Sequence, residues 1–330
     1  MRFHCFGLVI AIIGGLGTVS CSGYAGTTKL GLQEQTPSIQ TMSRTPTASS
    51  IRGVNKTSTL VYVTGGMPSS SNGVVLVLSY PKGNIVQTLK GFDVPLGECV
   101  DASGDIFIAN AGTNSVIEYA HGGSTPIHTL NDPGEPYGCA VDPTTGNVAV
   151  TNLSGSVAVY AGAQGAPTLY SDLNISEFLF CAYDESGNLF ADGTTGNLIA
   201  KLSKGSASFT DITFGNQLAG PGSMQWDGAN LVVVNAGGNW RGPTIVDRVQ
   251  ISGTSGKIVG TTHLKSHDGA VAAYVQYWIK NRKIIGPVRS SGDGHNFLGF
   301  WRYPAGGRSL QTLRHLNSGR LWGVVVSTGT

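Results

Sequence analysis

From Gly138 to Leu173, apolar and polar positions alternate in short bursts cut by turn formers. "GCAVD" ends at "PTTG", "NVAVTN" runs to "LSG", "SVAVYAG" runs to "AQG", and "APTLYSDL" closes the unit. Alternation over about four to eight residues between Gly, Asp, Asn and Pro clusters predicts half-buried β-strands, here four in a row. The unit is not unique. Its opening phrase stands upstream as "GECVDASGDIFIAN" (Gly97–Asn110). It stands downstream as "FCAYDESGNLFADG" (Phe180–Gly193) and "GSMQWDGANLVVVN" (Gly222–Asn235). The aspartates Asp101, Asp142, Asp184 and Asp227 are spaced by 41, 42 and 43 residues. The second half of the unit repeats as well, as "YPKGNIVQTL" (Tyr80–Leu89), "YAHGGSTPIHTL" (Tyr119–Leu130) and "YPAGGRSLQTL" (Tyr303–Leu313). Weaker copies are "AAYVQYWIKNRKIIGP" (Ala272–Pro287) and the half-phrase "LWGVVVS" (Leu321–Ser327). No convincing helical period occurs after the N-terminal region, and 48 glycines fit a chain made of tight turns.

A steady period in this range, with four strand signals per unit, is what β-propeller blades need. "PYGCAVDPTTGNVAVTNLSGSVAVY" resembles the NHL-type propeller repeat, closely over Gly97–Asn235 and loosely over Leu60–Asn84 and Val271–Ser327. The resemblance implies that each "G-x-A-V-D" strand is innermost in its blade. The repeat region then begins at "TLVYVTGG" (Thr59–Gly66), a second-strand sequence, and ends with an inner strand, "LWGVVVS". The expected architecture is an all-β, six-bladed propeller over residues 57–330, with four antiparallel strands per blade. The C-terminal strand is expected to complete the N-terminal blade and close the ring. Inner strands are expected near Glu98, Cys139, Cys181, Gln225 and Gln276.

The remaining composition bounds partners and compartment. A formal net charge of +2 without any Lys/Arg cluster argues against nucleic acid. Residues 1–23 carry Arg2, an apolar run over Phe6–Leu16 and small residues before Cys21, which reads as a signal peptide. The small residues before Cys21 resemble a lipobox, with Cys21 as the lipidated residue; Thr18 departs from the usual Leu, and a plain secretory peptide is the other reading. Residues 24–56, rich in Ser, Thr, Gln and Pro, cannot bury enough to order themselves and read as a tether. The expected location is the cell envelope, with membrane contact only through the lipid, or secretion without it. The protein is expected to act as a monomer. Cys99, Cys139 and Cys181 fall on inner strands as buried small hydrophobes. Cys99 lies two residues before its aspartate and the others three, so it is expected to face the other way, and no disulfide is expected.

Signatures of chemistry are sparse. There is no H-E-x-x-H, C-x-x-C, G-x-x-x-x-G-K-[ST] or G-x-S-x-G. The four repeated aspartates suit turns, where a carboxylate accepts from N–H groups two residues on. On the face carrying the second-to-third and fourth-to-first strand loops, early copies offer short loops ("NAGTN", "NLSG") and late copies longer ones. Trp240, Arg241, His263, His267, Asp268, Arg289, Asp293, His295 and His315 gather in those longer segments. Titratable groups around a concave mouth make a candidate site, with Trp240, Arg241, His267, Asp268, Arg289, Asp293, His295 and His315 as binding residues. The first functional reading is a binding or scaffold module for a protein or glycan, with no cofactor. The second comes from the resemblance, because similar propellers include lactone hydrolases and antibiotic lyases with a divalent metal at the channel mouth. That reading would use His267, Asp293 and His295 with Ca²⁺ or Mg²⁺. Its weakness is that Glu98 is the only acid on an inner strand ahead of its repeated aspartate.

Overall fold

The computed structural model describes residues 57–66, 72–194, 198–215, 218, 221–235, 244–266, 269–271, 275–290, 296–314, 316 and 318–329. Apart from two 3-10 turns at Ala111–Thr113 and Ala161–Ala163, the regular structure described is strand. The first antiparallel sheet contains β1 (Thr59–Gly66), β2 (Gly73–Ser79) and β3 (Ile85–Phe92). The second contains β4 (Pro95–Val100), β5 (Ile106–Asn110), β6 (Ser115–Tyr119) and β7 (Pro126–Asn131), and the third β8 (Pro136–Val141), β9 (Val148–Asn152), β10 (Ser156–Tyr160) and β11 (Thr168–Tyr170).

Two more antiparallel runs follow, β12 (Phe178–Tyr183) to β15 (Thr210–Thr213) through β13 (Leu189–Gly193) and β14 (Leu198–Leu202), and β16 (Pro221–Trp226) to β19 (Ser255–Lys265) through β17 (Leu231–Asn235) and β18 (Thr244–Ser252). In the last run β22 (Lys283–Ser290) pairs with β20 (Gly269–Val271), β21 (Trp278–Lys280) and β23 (Asn296–Arg302), which pairs with β24 (Gly306–Leu313). Short parallel bridges from β15 to β19 and from β19 to β24 join these three runs into one 13-stranded sheet. The C-terminal strand β25 (Arg320–Thr328) lies beside β1, with Val63 opposite Val324 and Val61 opposite Val326.

Strand period explains how the sheets pack. Successive side chains point to opposite faces, so a strand buried on both sides reads as a continuous apolar run. In β1, Val61 and Val63 join Ile285, Leu298 and Phe300 of the last run, while Leu60 and Tyr62 join Ile106 and Ile108 of the second sheet. The same division recurs between each neighbouring pair. Phe107 packs with Val148 and Val150, Ala149 with Phe178 and Leu189, Phe190 with Leu231 and Val233, and Val232 and Val234 with Ile284 and Trp301.

Two expectations need correction. Near Gln276 the regular strand among the described residues is short, covering Trp278–Lys280 and starting two residues after Gln276 itself. Gln276 N–H instead donates to the carbonyl of Trp322 on β25, 2.8 Å away. The second correction concerns Cys99 and Cys139, which form a disulfide across a Cα–Cα distance of 5.5 Å. Their opposite parity is the reason. Neighbouring sheets stack face to face, so a side chain on the leading face of one meets a side chain on the trailing face of the next. Cys181, with the parity of Cys139, points back in the same sense: their sulfurs approach Ala149 O and Phe107 O at 3.8 and 3.6 Å. Cys181 remains a free, buried thiol.

Candidate functional site

The repeated aspartates build turns. Asp101 accepts from the N–H groups of Ser103 and Asp105, Asp184 from Ser186 and Asn188, and Asp227 from Ala229 and Asn230, all at 2.8–3.0 Å. Asp142 accepts from the N–H and hydroxyl of Thr144 and the hydroxyl of Thr145. Burial alone would raise the carboxyls of Asp142 and Asp227. The hydrogen bonds, including one from Tyr303 OH to Asp227, outweigh it and hold both below the ordinary value.

Each turn fixes the residue before it. Val100, Val141, Tyr183 and Trp226 precede the four aspartates, and all four line a cavity of about 400 Å³ together with Trp278. The wall is completed by Cys99, Cys139, Cys181, Ala140, Ala182, Met224, Gln225 and Gln276, and by Pro143, Asp184, Glu185 and Gly228 from the turns. The cavity therefore opens toward the aspartate turns. Tyr183, Trp226 and Trp278 carry its aromatic surface; burial pushes the Tyr183 phenol up, with Cys181 and Asp142 adding to it. Trp226 Nε1 is buried and meets no protein acceptor among the described residues.

Side-chain amides lock the wall. Gln276 Oε1 accepts from Glu98 N–H at 2.7 Å while its Nε2 donates to Glu98 O at 2.5 Å. Gln225 does the same with Ile279, accepting from its N–H at 2.7 Å and donating to its carbonyl at 3.2 Å. Both amides are thus used in holding neighbouring strands. Glu98 itself is fully buried. Its Oε1 accepts from Thr64 N–H at 3.2 Å and its Oε2 has no partner among the described residues. Burial pushes its carboxyl up to about 8 against that one hydrogen bond. Asp192 is similar: Oδ1 accepts from Phe180 N–H, Oδ2 is orphaned, and burial raises it well above the ordinary value. Burial, and after it Asp192, also raise the Cys181 thiol.

Of the residues singled out by sequence, Trp240, Arg241, His267, Asp268, Asp293, His295 and His315 lie outside the described residues, as does Cys21. Arg289 is described and exposed, within β22 and opposite Asn296 of β23. His263 also falls in a strand, β19. Asn296 Nδ2 donates to Gly319 O, beside Arg320. The Arg320 guanidinium stands 3.9 Å over the Trp322 ring, and burial followed by the charge of Arg289 lowers its pKa. Sequence reasoning did not single out Arg320, although it lies five residues after His315. It also missed Tyr183, Trp226 and Trp278. For the first two the available signal was the position before the repeated aspartate, which is Val in the early copies and aromatic in the later ones. Among the described residues no three His, Cys, Asp or Glu side chains gather to hold a metal ion.

No protein-family model matches the chain, and no curated protein sequence matches it. Solved structures do. A chain from the crystal structure of a nidogen/laminin complex aligns with a TM-score of 0.62 and 13% identity, covering 82% of this chain and 99% of that one. A protein of unknown function from Bacteroides caccae aligns at 0.61 and 11% identity, with the same coverage. The fold is β-propeller-like. At these identities the likeness concerns fold alone, and function has to be argued from the site.

Proposed function

We propose that the chain is an exported β-propeller that serves as a binding module, with its ligand seated where the inner strands converge. The observation that carries this reading is the cavity of about 400 Å³ lined by Tyr183, Trp226 and Trp278. A concave, mainly apolar pocket with a few polar groups is the usual form of a small-molecule site. A six-bladed, closed ring of NHL-like repeats is the finer architecture proposed. It is supported by aspartate turns at a near-constant period, by β25 beside β1, and by apolar clusters between each neighbouring pair of sheets, last and first included. Export is supported by the N-terminal segment and by the Cys99–Cys139 disulfide, since such bonds persist in oxidising compartments. Residues 24–56 serve as the tether and Cys21 as the lipid-bearing residue.

The sequence-derived contact face, with Trp240, Arg241, His267, Asp268, Arg289, Asp293, His295 and His315, is proposed as a second surface for a protein or glycan partner. The hydrolase or lyase reading gains no observation from the described residues. Thermal melting against a panel of cationic, neutral and anionic small molecules tests the binding reading. Mass action raises stability by about 2.7 kcal/mol at a hundredfold excess over Kd. A ligand that shifts the wild type and not Trp226→Leu or Trp278→Leu supports the cavity site; a panel in which no class shifts the wild type refutes it.

A further inference from the structure

The cavity has a chemical bias that narrows its ligand. Tyr183, on β12, and Trp226, on β16, are contributed by neighbouring inner strands, and Trp278, on β21, joins them. The face of an aromatic ring carries negative electrostatic potential and attracts a cation within about 6 Å of its centroid. Among the described residues no Lys, Arg or His lines the cavity, whereas Asp184 and Glu185 do. The Asp184 carboxylate accepts from the N–H groups of Ser186 and Asn188 and from Asn188 Nδ2, all neutral donors, so its charge remains uncompensated by them. Glu185 is exposed on the same turn.

The other ligand classes fit less well. An anion would meet the two acids with no cation among the described lining residues to hold it. A sugar needs several donors and acceptors to read its hydroxyls; Trp226 Nε1 is one open donor, but the amides of Gln225 and Gln276 already have both ends engaged by Ile279 and Glu98. The volume, about 400 Å³, lies near the lower end of ligand pockets and suits a small molecule rather than a polymer segment.

Resting on the binding-module reading, we infer that this cavity recognises an organic cation, a small substituted-ammonium compound whose charged head stands against Tyr183, Trp226 and Trp278 beside Asp184 and Glu185. Desolvation of such a head is modest, because its alkyl groups face the rings while the carboxylates supply the long-range attraction.

The test uses the full chain, intrinsic tryptophan fluorescence and titration calorimetry. The probe is choline chloride, compared with its neutral isostere 3,3-dimethylbutan-1-ol at matched ionic strength. Choline is expected to bind saturably, at least about tenfold tighter than the isostere, a difference of about 1.4 kcal/mol. Trp226→Leu and Trp278→Leu should abolish the choline response. Because a buried tryptophan variant can fail to fold, Glu185→Gln on the exposed turn provides the second arm: it should weaken choline several-fold and leave the isostere constant unchanged. Equal or tighter binding of the isostere overturns the cation assignment while leaving the cavity as a site. Absence of any choline response, alongside stabilisation by a neutral or anionic panel member, does the same. No response to choline, isostere or any panel member overturns both this inference and the binding-module reading.

Discussion

Removing the Cys99–Cys139 disulfide should lower stability by an amount that follows from its place in the chain. The bond joins residues 40 apart. In the chain-entropy treatment, a loop of that size removes denatured-state freedom worth about 4 kcal/mol at room temperature. Residues 57–330, at about 2.1 cal/mol/K per residue, have an unfolding entropy of about 0.6 kcal/mol/K, so the expected fall in Tm is about 7 °C. The cleanest perturbation is the double variant Cys99→Ala/Cys139→Ala, melted with and without dithiothreitol beside the wild type. Reductant should lower the wild type by about 7 °C. It should leave the double variant where it was. Comparing each protein with itself removes the packing lost with the two sulfurs, which sit in the apolar cluster between the second and third sheets. Cys181→Ala should keep the full response to reductant, because that thiol is free. Peptide mapping under non-reducing conditions should recover Cys99 joined to Cys139. Equal responses to reductant in the wild type and double variant, or a map joining either residue to Cys181, would refute the face-to-face packing from which the bond follows.

Gln276→Leu should cost about 2–4 kcal/mol by denaturant unfolding, because it strands the N–H and carbonyl of Glu98 in a buried place; a loss below about 0.5 kcal/mol would show that the amide does not hold the strands. Glu98 makes stability depend on pH. Its folded pKa, about 8, lies above the ordinary 4.5, so the native state keeps a proton that the unfolded chain has released. Its contribution is complete below about 4.5 and is lost as pH climbs to about 8, by about 5 kcal/mol at most. Glu98→Gln cannot titrate, so its stability relative to wild type should improve across that window; a constant difference from pH 4.5 to pH 8 would contradict the assignment. Deleting Arg320–Thr330 removes the strand beside β1 and uncovers Val61 and Val63, and should abolish cooperative melting and promote aggregation. Deletion of residues 24–50 should do neither, and a C-terminal truncation that melts like the intact protein would mean that the first sheet does not need β25.

The sequence by itself determined the parts whose cause lies between near neighbours in the chain. Alternation in "NVAVTN" and "SVAVY" placed β9 and β10, because period two is set by the pleat of a single strand. Asp142 and its three counterparts were legible as turn formers, since the N–H groups they accept from lie two to four residues away. "LWGVVVS" was legible as a strand because its run of valines suits burial on both faces, and β25 forms there beside β1. The tertiary structure alone decided what meets across sheets. Parity correctly separated Cys99 from Cys139 onto opposite faces, and only the stacking of consecutive sheets turned opposite faces into touching ones. The same limit hid Gln276, whose amide reaches a backbone 178 residues away that no local pattern points to. Tyr183, Trp226 and Trp278 look like ordinary strand-end aromatics in sequence; they line one cavity because β12, β16 and β21, far apart in the chain, come together around it, and no local pattern records that meeting.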